Sequence, residues 1–285
     1  MEARNELKND FCVLIISYGR PDKCTTAEWL EKMNYSRPWY VVCSTDDAKL
    51  DGYKKRYGER VIVFNKDEIF FDKLDNFGLK KVGSYARQAC FPIARNLGYR
   101  FFVSLDDDYH GLFWRYLNRK LNKLCTRKCT HLDGMFAAMF QFIDVSDSIL
   151  ELDFGVDGLF CGGASSKNVY SDLILKGFNS HFNDVEKWIE YKGTFFDDMN
   201  ACIGEGVRGR IIFTVPLASM RVEKFGEGVM SKSYNDVGMI NVAFYSLMLC
   251  PSAVTIRLGG NMKSQLIVNN NNVFPKIINE KWHKK

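Results

Sequence analysis

The first third of the chain is written in apolar blocks separated by polar breaks. Phe11-Cys12-Val13-Leu14-Ile15-Ile16 is an unbroken apolar run followed by Ser17 and Tyr18, the pattern of a strand buried on both faces of a parallel sheet. Gly19-Arg20-Pro21-Asp22 breaks it. Thr25 and Thr26 are then placed to cap a helix reaching about Met33. Residues 39–44 and 60–64 give two further strands, with a short helix over 47–57 between them. A helix is expected from Gly83 to about Leu97, kinked or restarted at Pro92 and stopped by Gly98. Arg87 and Arg95 fall close to one face of it. The run Phe101-Phe102-Val103-Ser104-Leu105 is a fourth buried strand, ending without a spacer in Asp106, Asp107 and Asp108. The order β-α-β-α-β-α-β predicts an α/β fold with a mainly parallel central sheet covered by helices on both faces.

Beyond residue 110 the pattern is less regular. Arg115, Arg119, Lys120, Lys123, Arg127 and Lys128 follow one another with no acid among them. Their spacing is partly helical, so the expectation is a solvated helix face or a surface that meets a polyanion. Residues 136–143 are apolar on all sides and predict a buried helix. Residues 157–166 predict a short strand running into Gly162-Gly163-Ala164, a loop that lets a ligand approach backbone. Asp197 and Asp198 open a helix, where acids are favourably placed against the dipole or serve as a general base. Residues 211–215 are the last clear core strand, ended by Pro216. A polar, glycine-containing stretch over 223–233 has the character of a lid. A helix over 235–249, a strand over 254–258 and a basic tail complete the chain.

Composition changes this picture little. With 285 residues, 46% hydrophobic and 26% charged, the chain is long enough for one large α/β domain. The net charge of +5 permits an anionic ligand without requiring one. Nine scattered cysteines read as reduced thiols, and the charged opening residues 1–10 do not read as a secretion signal, so a cytoplasmic protein is expected. No apolar run approaches the roughly 18 residues of a membrane span. Cys125, Cys129 and His131 lack both finger spacing and an evident fourth zinc ligand.

The acidic triplet carries the most chemistry. Unit charges about 4 Å apart repel by roughly 4 kcal/mol near a protein surface, so three carboxylates at a buried strand end call for a cation, a basic neighbour or full solvation. Strand alternation puts Asp106 and Asp108 on one side and Asp107 on the other, which would make Asp107 the more dispensable. Two hard oxygen ligands on one side suit Mg²⁺ or Mn²⁺.

Taken in order, the first strand and its loop (11–26), Ala94-Arg95-Asn96, the run Phe102 to Tyr109, the Gly-Gly loop and the acidic pair resemble the GT-A glycosyltransferases. Within them the chain resembles the TET-associated glycosyltransferases, largely phage enzymes thought to glycosylate hydroxymethylated pyrimidines in DNA. The likeness covers roughly residues 10–220. It implies a single domain, with a nucleotide-sugar-binding half (10–110), an acceptor half (111–250) and a C-terminal segment. It implies Mn²⁺ or Mg²⁺ on Asp106 and Asp108, and a nucleotide sugar, a UDP-sugar foremost, beside Ser17, Tyr18, Arg20, Arg87, Arg95, Asp106 and Asp107. It implies Asp197 or Asp198 as catalytic base and Gly162, Gly163 and Ala164 beside the acceptor. Trp114, Arg115, Tyr116, Arg119, Lys120 and Lys123 become candidates for contact with DNA. The setting implied is cytoplasmic, including that of an infected bacterial host. A nucleotidyltransferase and a non-catalytic DNA-binding module of the same fold are the alternatives.

Overall fold

The computed structural model describes residues 10–69, 83–156, 180–222, 239–258 and 264–268. A nine-stranded sheet runs in the order β3-β2-β1-β4-β8-β7-β9-β5-β6. Its first half is made of β1 (Phe11–Ile16), β2 (Trp39–Ser44), β3 (Val61–Phe64) and β4 (Phe101–Asp106). These four pair parallel, as their continuous apolar runs require. β4 then pairs antiparallel with β8 (Ser180–Asp184), and β8 antiparallel with β7 (Ile149–Val156). β7 pairs parallel with β9 (Ile211–Val222), which continues antiparallel into β5 (Tyr109–Asn118) and β6 (Lys123–Lys128). β10 (Val254–Leu258) and β11 (Ser264–Val268) form a separate two-stranded sheet.

Helices cover both faces. On one lie α1 (Thr25–Lys32), α2 (Leu50–Tyr57) and α4 (Leu132–Asp144), packed on the side chains of Phe11, Val13, Val103 and Phe182. On the other lie α3 (Gly83–Asn96) and α5 (Asp197–Gly206), packed on Cys12, Leu14, Phe102 and Leu150. α6 (Met239–Leu249) runs between α5 and the small sheet. α3 is a single helix with Pro92 inside it. α4 buries Phe136, Met139, Phe140 and Ile143 but leaves Phe142 about half exposed, so it is not apolar-buried all round.

Three expectations fail for physical reasons. The basic segment 115–128 is a β-hairpin, with Trp114 opposite Arg127 and Tyr116 opposite Cys125. Its charges sit four apart, which imitates a helix face, but two strands and a turn use that spacing differently. Alternation puts Trp114 and Tyr116 on one face, while Arg115 turns to the other and is 6% exposed against Gly155. Arg115 therefore does not stand with Arg119, Lys120 and Lys123, which are exposed. Pro216 does not end β9. It falls where the pairing with β7 jumps from Phe154↔Val215 to Gly155↔Ser219, a bulge where a missing N–H costs no ladder bond. Thr25 and Thr26 do not cap α1, whose N-cap is Cys24 with no side-chain cap bond. The Gly162, Gly163 and Ala164 loop and the stretch 223–233 lie outside the described residues.

The two sides of β5 should be separable by stability. Arg115→Ala should lower unfolding free energy by about 2 kcal/mol, whereas Tyr116→Ala should cost about 0.5 kcal/mol or less. Chemical denaturation of the two variants checks this; equal losses would contradict the placement.

Candidate active site

The end of β4 is fixed from α1. The buried Thr26 donates from Oγ1 to the Asp106 carbonyl at 2.6 Å and accepts from the Tyr109 N–H at 2.9 Å. The Thr26 N–H also donates to the Asp107 carbonyl at 3.2 Å. One hydroxyl thus holds both sides of the acidic turn, and the Asp106 and Asp107 carboxylates inherit a defined direction each.

Asp106 points to the α3–α5 face. Arg87, 8% exposed, donates from Nη2 to Asp106 Oδ1 at 3.1 Å and from Nη1 to Asp197 Oδ2 at 2.7 Å. Burial pulls the guanidinium pKa down, but Asp197, Asp106 and Asp198 more than offset it, and the net shift is well upward. Burial raises the Asp106 carboxyl and the Asp108 charge raises it further, against the pull of Arg87. Asp198 accepts from the Met199 N–H at 2.8 Å, and burial together with Asp197 pushes it up to about 6. Asp106, Asp108, Asp197 and Asp198 thus act on one another through space, with Arg87 as the guanidinium among them.

The acidic pair owes its position to a strained loop. Phe196, the N-cap of α5, has φ +54°, an uncommon conformation for a side chain of its size. Gly193 has φ +83°, and a Cβ there would come within 2.8 Å of Asn200 Nδ2 and the Tyr245 ring. The fully buried Asn200 amide donates to the Lys192 and Phe195 carbonyls at 2.9 and 3.0 Å, and its Oδ1 accepts from Ser246 at 2.6 Å. Ser84 Oγ on α3 donates to the Gly193 carbonyl at 3.2 Å.

Asp107 turns to the opposite face and is 1% exposed. It accepts from Ser17 Oγ at 2.5 Å and is ion-paired with Arg20. Ser17 Oγ lies 2.6 Å from the Tyr53 hydroxyl, which accepts the Arg20 N–H at 2.8 Å. Burial raises the Asp107 carboxyl to about 6, against Arg20 and Ser17, which lower it. This network holds the loop after β1. Beside it, Gly19 N–H donates to Asp47 at 2.7 Å, Tyr18 reaches the Asp46 carbonyl at 3.3 Å, and Lys66 pairs with Asp46 at 2.9 Å. The Lys66 ammonium stands 4.7 Å over the Tyr18 ring.

Ser17, Tyr18, Arg20 and Asp107 are therefore brought together, and Arg87, Asp106, Asp108, Asp197 and Asp198 form the adjoining group. Arg95 is not with either. It donates to the Val185 carbonyl at 2.8 Å, and Val185 N–H bonds Arg100 at the start of β4. That is about 20 Å of strand from Asp106, because eight residues of helix carry Arg95 away from Arg87. Trp114, Tyr116, Arg119, Lys120 and Lys123 are on the protruding hairpin. Sequence reasoning missed Tyr53, Asp47, Lys66 and Thr26, which the topology brings in from separate elements. It also missed β7 and β8, with the buried Glu151, Asp153 and His181. The alternation Leu150-Glu151-Leu152-Asp153-Phe154 could have found the strand, but it would have sent the acids to solvent.

The raised Asp198 carboxyl has a consequence with a defined sign. Its folded value of about 6 lies above the unfolded value of roughly 3.9. Its ionised form therefore costs stability above pH 6, and the cost fades as pH falls through 6 toward 4. In metal-free protein, Asp198→Asn should be more stable than wild type at pH 7 by up to about 3 kcal/mol, with the gap closing by pH 4. Urea titrations at several pH values measure it.

No curated protein matches the chain by sequence. Solved structures of similar layout include glucosyl-3-phosphoglycerate synthase from Mycobacterium tuberculosis in complex with Mn²⁺, UDP and phosphoglyceric acid, at 12% identity and TM-score 0.47 over 93% of this chain and 90% of that one. The same enzyme with Mn²⁺, UDP and glucosyl-3-phosphoglycerate matches at 10% identity and TM-score 0.47, again over 93% and 90%. A mycobacterial protein matches at 11% identity and TM-score 0.46, over 93% of this chain and 87% of that one. Among the described residues no helix is long and apolar enough to cross a membrane. Residues 11–227 match the model of the TET-associated glycosyltransferases, and the chain belongs to that family.

Proposed function

We propose that this glycosyltransferase moves a sugar from a nucleotide sugar to a hydroxyl of a hydroxymethylated pyrimidine in DNA, with a divalent ion at Asp106 and Asp108. The observation that carries the reading is the group at the end of β4, where Asp106, Asp197 and Asp198 surround Arg87 and Asp108 acts on Asp106. Its excess of negative charge, with Asp106 raised by burial and by Asp108, fits a hard cation with oxygen ligands. Mn²⁺ or Mg²⁺, when bound, would neutralise charge on the departing diphosphate.

The chain's own residues supply the rest. Ser17, Tyr18 and Arg20 line the loop at the end of β1 and would meet the base and ribose, a UDP-sugar being the first donor to test. Asp107 would act on the donor by holding that loop through Ser17 and Arg20. Arg87 ties Asp197 to Asp106 and fixes their separation. Asp198, beside them and raised to about 6, would take the acceptor proton, since a base works best near the operating pH. Asp197, ion-paired to Arg87 at 2.7 Å, would anchor the pair.

A DNA acceptor is supported by the hairpin. Trp114 is 40% and Tyr116 44% exposed on the face that also carries Lys123 and Arg127. Aromatic rings for bases among cations for phosphates suit a nucleic-acid strand. Presenting the modified base would cost a few kcal/mol of unstacking, which contacts of this kind offset. Gly162, Gly163 and Ala164 would border the acceptor.

Asp108→Ala should abolish both sugar transfer and hydrolysis of the donor, assayed with Mn²⁺ present; full activity would sink the metal assignment. Asp198→Asn should slow transfer by about 10²- to 10⁴-fold with little change in donor KM. Labelled donor incubated with hydroxymethylated DNA should label the DNA. Label confined to protein, lipid or small sugars would refute the acceptor.

A further inference from the structure

Behind the site, on the same face of the sheet as Asp106, lies a second polar group that the proposed chemistry does not use. His181 on β8 is opposite Ser104 in the ladder with β4. His181 Nδ1 is 2.9 Å from Glu151 Oε1 and 3.5 Å from Asp153 Oδ1. One ligating atom from each of the three lies within 4.8 Å of the others, and all three side chains are at most 1% exposed. Donors that share an ion through bonds of about 2.1 Å at tetrahedral angles stand about 3.4 Å apart. The two distances from His181 Nδ1 bracket that value, and the third separation lies within a range that small side-chain shifts on binding an ion would close.

Asn183 gives an independent sign. It is fully buried, and alternation along β8 puts it on the same face as His181, directly across from Glu151. Among the described residues neither end of its amide has a hydrogen-bond partner. Native proteins leave few buried amides in this condition without a water or an ion nearby. Among the described residues the His181 ring likewise makes its hydrogen bond through Nδ1, its buried Nε2 having no partner there. Glu151 is oriented from outside the group: Tyr191 donates its hydroxyl to Oε2 at 2.5 Å, and Gln88 on α3 accepts the Tyr191 N–H at 3.1 Å. An outer hydrogen bond of this kind commonly aims a ligating carboxylate.

We propose that Glu151, Asp153 and His181, with the Asn183 carbonyl oxygen as a fourth donor, form a second divalent-metal site, separate from Asp106 and Asp108, that fastens β7 to β8. One imidazole nitrogen with carboxylate and amide oxygens suits a first-row transition ion such as Mn²⁺. The site is enclosed, so the ion is structural and exchanges slowly. It does not depend on the sugar-transfer reading, because the ligands are distinct from those assigned to the donor.

The full chain carrying Asp106→Asn and Asp108→Asn, which removes the donor-side ligands, is stripped with chelator, refilled with Mn²⁺ and desalted. It should retain about one Mn²⁺ per chain by elemental mass spectrometry and show a higher Tm than the stripped protein. Its pulsed EPR spectrum should carry a ¹⁴N coupling, which an all-oxygen site cannot give. Adding Glu151→Gln or His181→Gln should lower retained Mn²⁺ at least tenfold. No retained Mn²⁺, retention without nitrogen coupling, or equal retention in folded Glu151→Gln and His181→Gln variants would overturn the site and reduce the group to a buried His–Glu hydrogen bond. Should both substitutions prevent folding, stoichiometry and nitrogen coupling in the parent decide the matter alone.

Discussion

Arg87 is the contact on which the site depends. Its guanidinium joins the end of β4, through Asp106, to the start of α5, through Asp197, from a third element, α3. A buried ion pair is weak as a source of net stability, since desolvation cancels much of the attraction. Its value here is geometric. A planar fork with two fixed N–H directions sets the spacing of two carboxylates that would otherwise repel. An ion arriving at Asp106 would compete with Arg87 for the same oxygen, so the guanidinium also balances the charge when no ion is present.

The second anchor is the loop before α5. Acids at a helix N-terminus are common, and the dipole alone favours them there. What distinguishes Asp197 and Asp198 is the expense of the approach: a left-handed Phe196, a Gly193 with no room for a side chain, and an Asn200 committed to two loop carbonyls and to Ser246 on α6. Backbone strain persists only where the surroundings over-determine it. The loop thus holds both carboxylates in place in the folded protein itself.

The first half of the fold was legible because parallel strands buried on both faces appear as plain apolar runs, and Phe11–Ile16, Trp39–Ser44 and Phe101–Asp106 do so. The second half was not. Arg115, Arg119, Lys123 and Arg127 are four apart in sequence, so a hairpin presented the signature of a helix. β7 placed Glu151 and Asp153 in the interior, against the rule that alternating acids face water. The acidic triplet was readable as chemistry, yet its partners were not. Ser17 and Arg20 meet Asp107, Tyr53 meets Ser17, and Arg87 meets Asp106 through contacts between elements far apart in the chain.

The hairpin has a further consequence for how the protein behaves in solution. Among the described residues β6 is the last strand of the sheet, with no further strand beside it. An open edge of that kind invites pairing with a neighbouring molecule and growth into aggregates. β6 reads Lys123-Leu124-Cys125-Thr126-Arg127-Lys128, and its three cations are exposed. Two such edges approaching each other would bring like charges into register. The three cations thus guard the edge, and neutralising them would cost solubility whatever else the hairpin does.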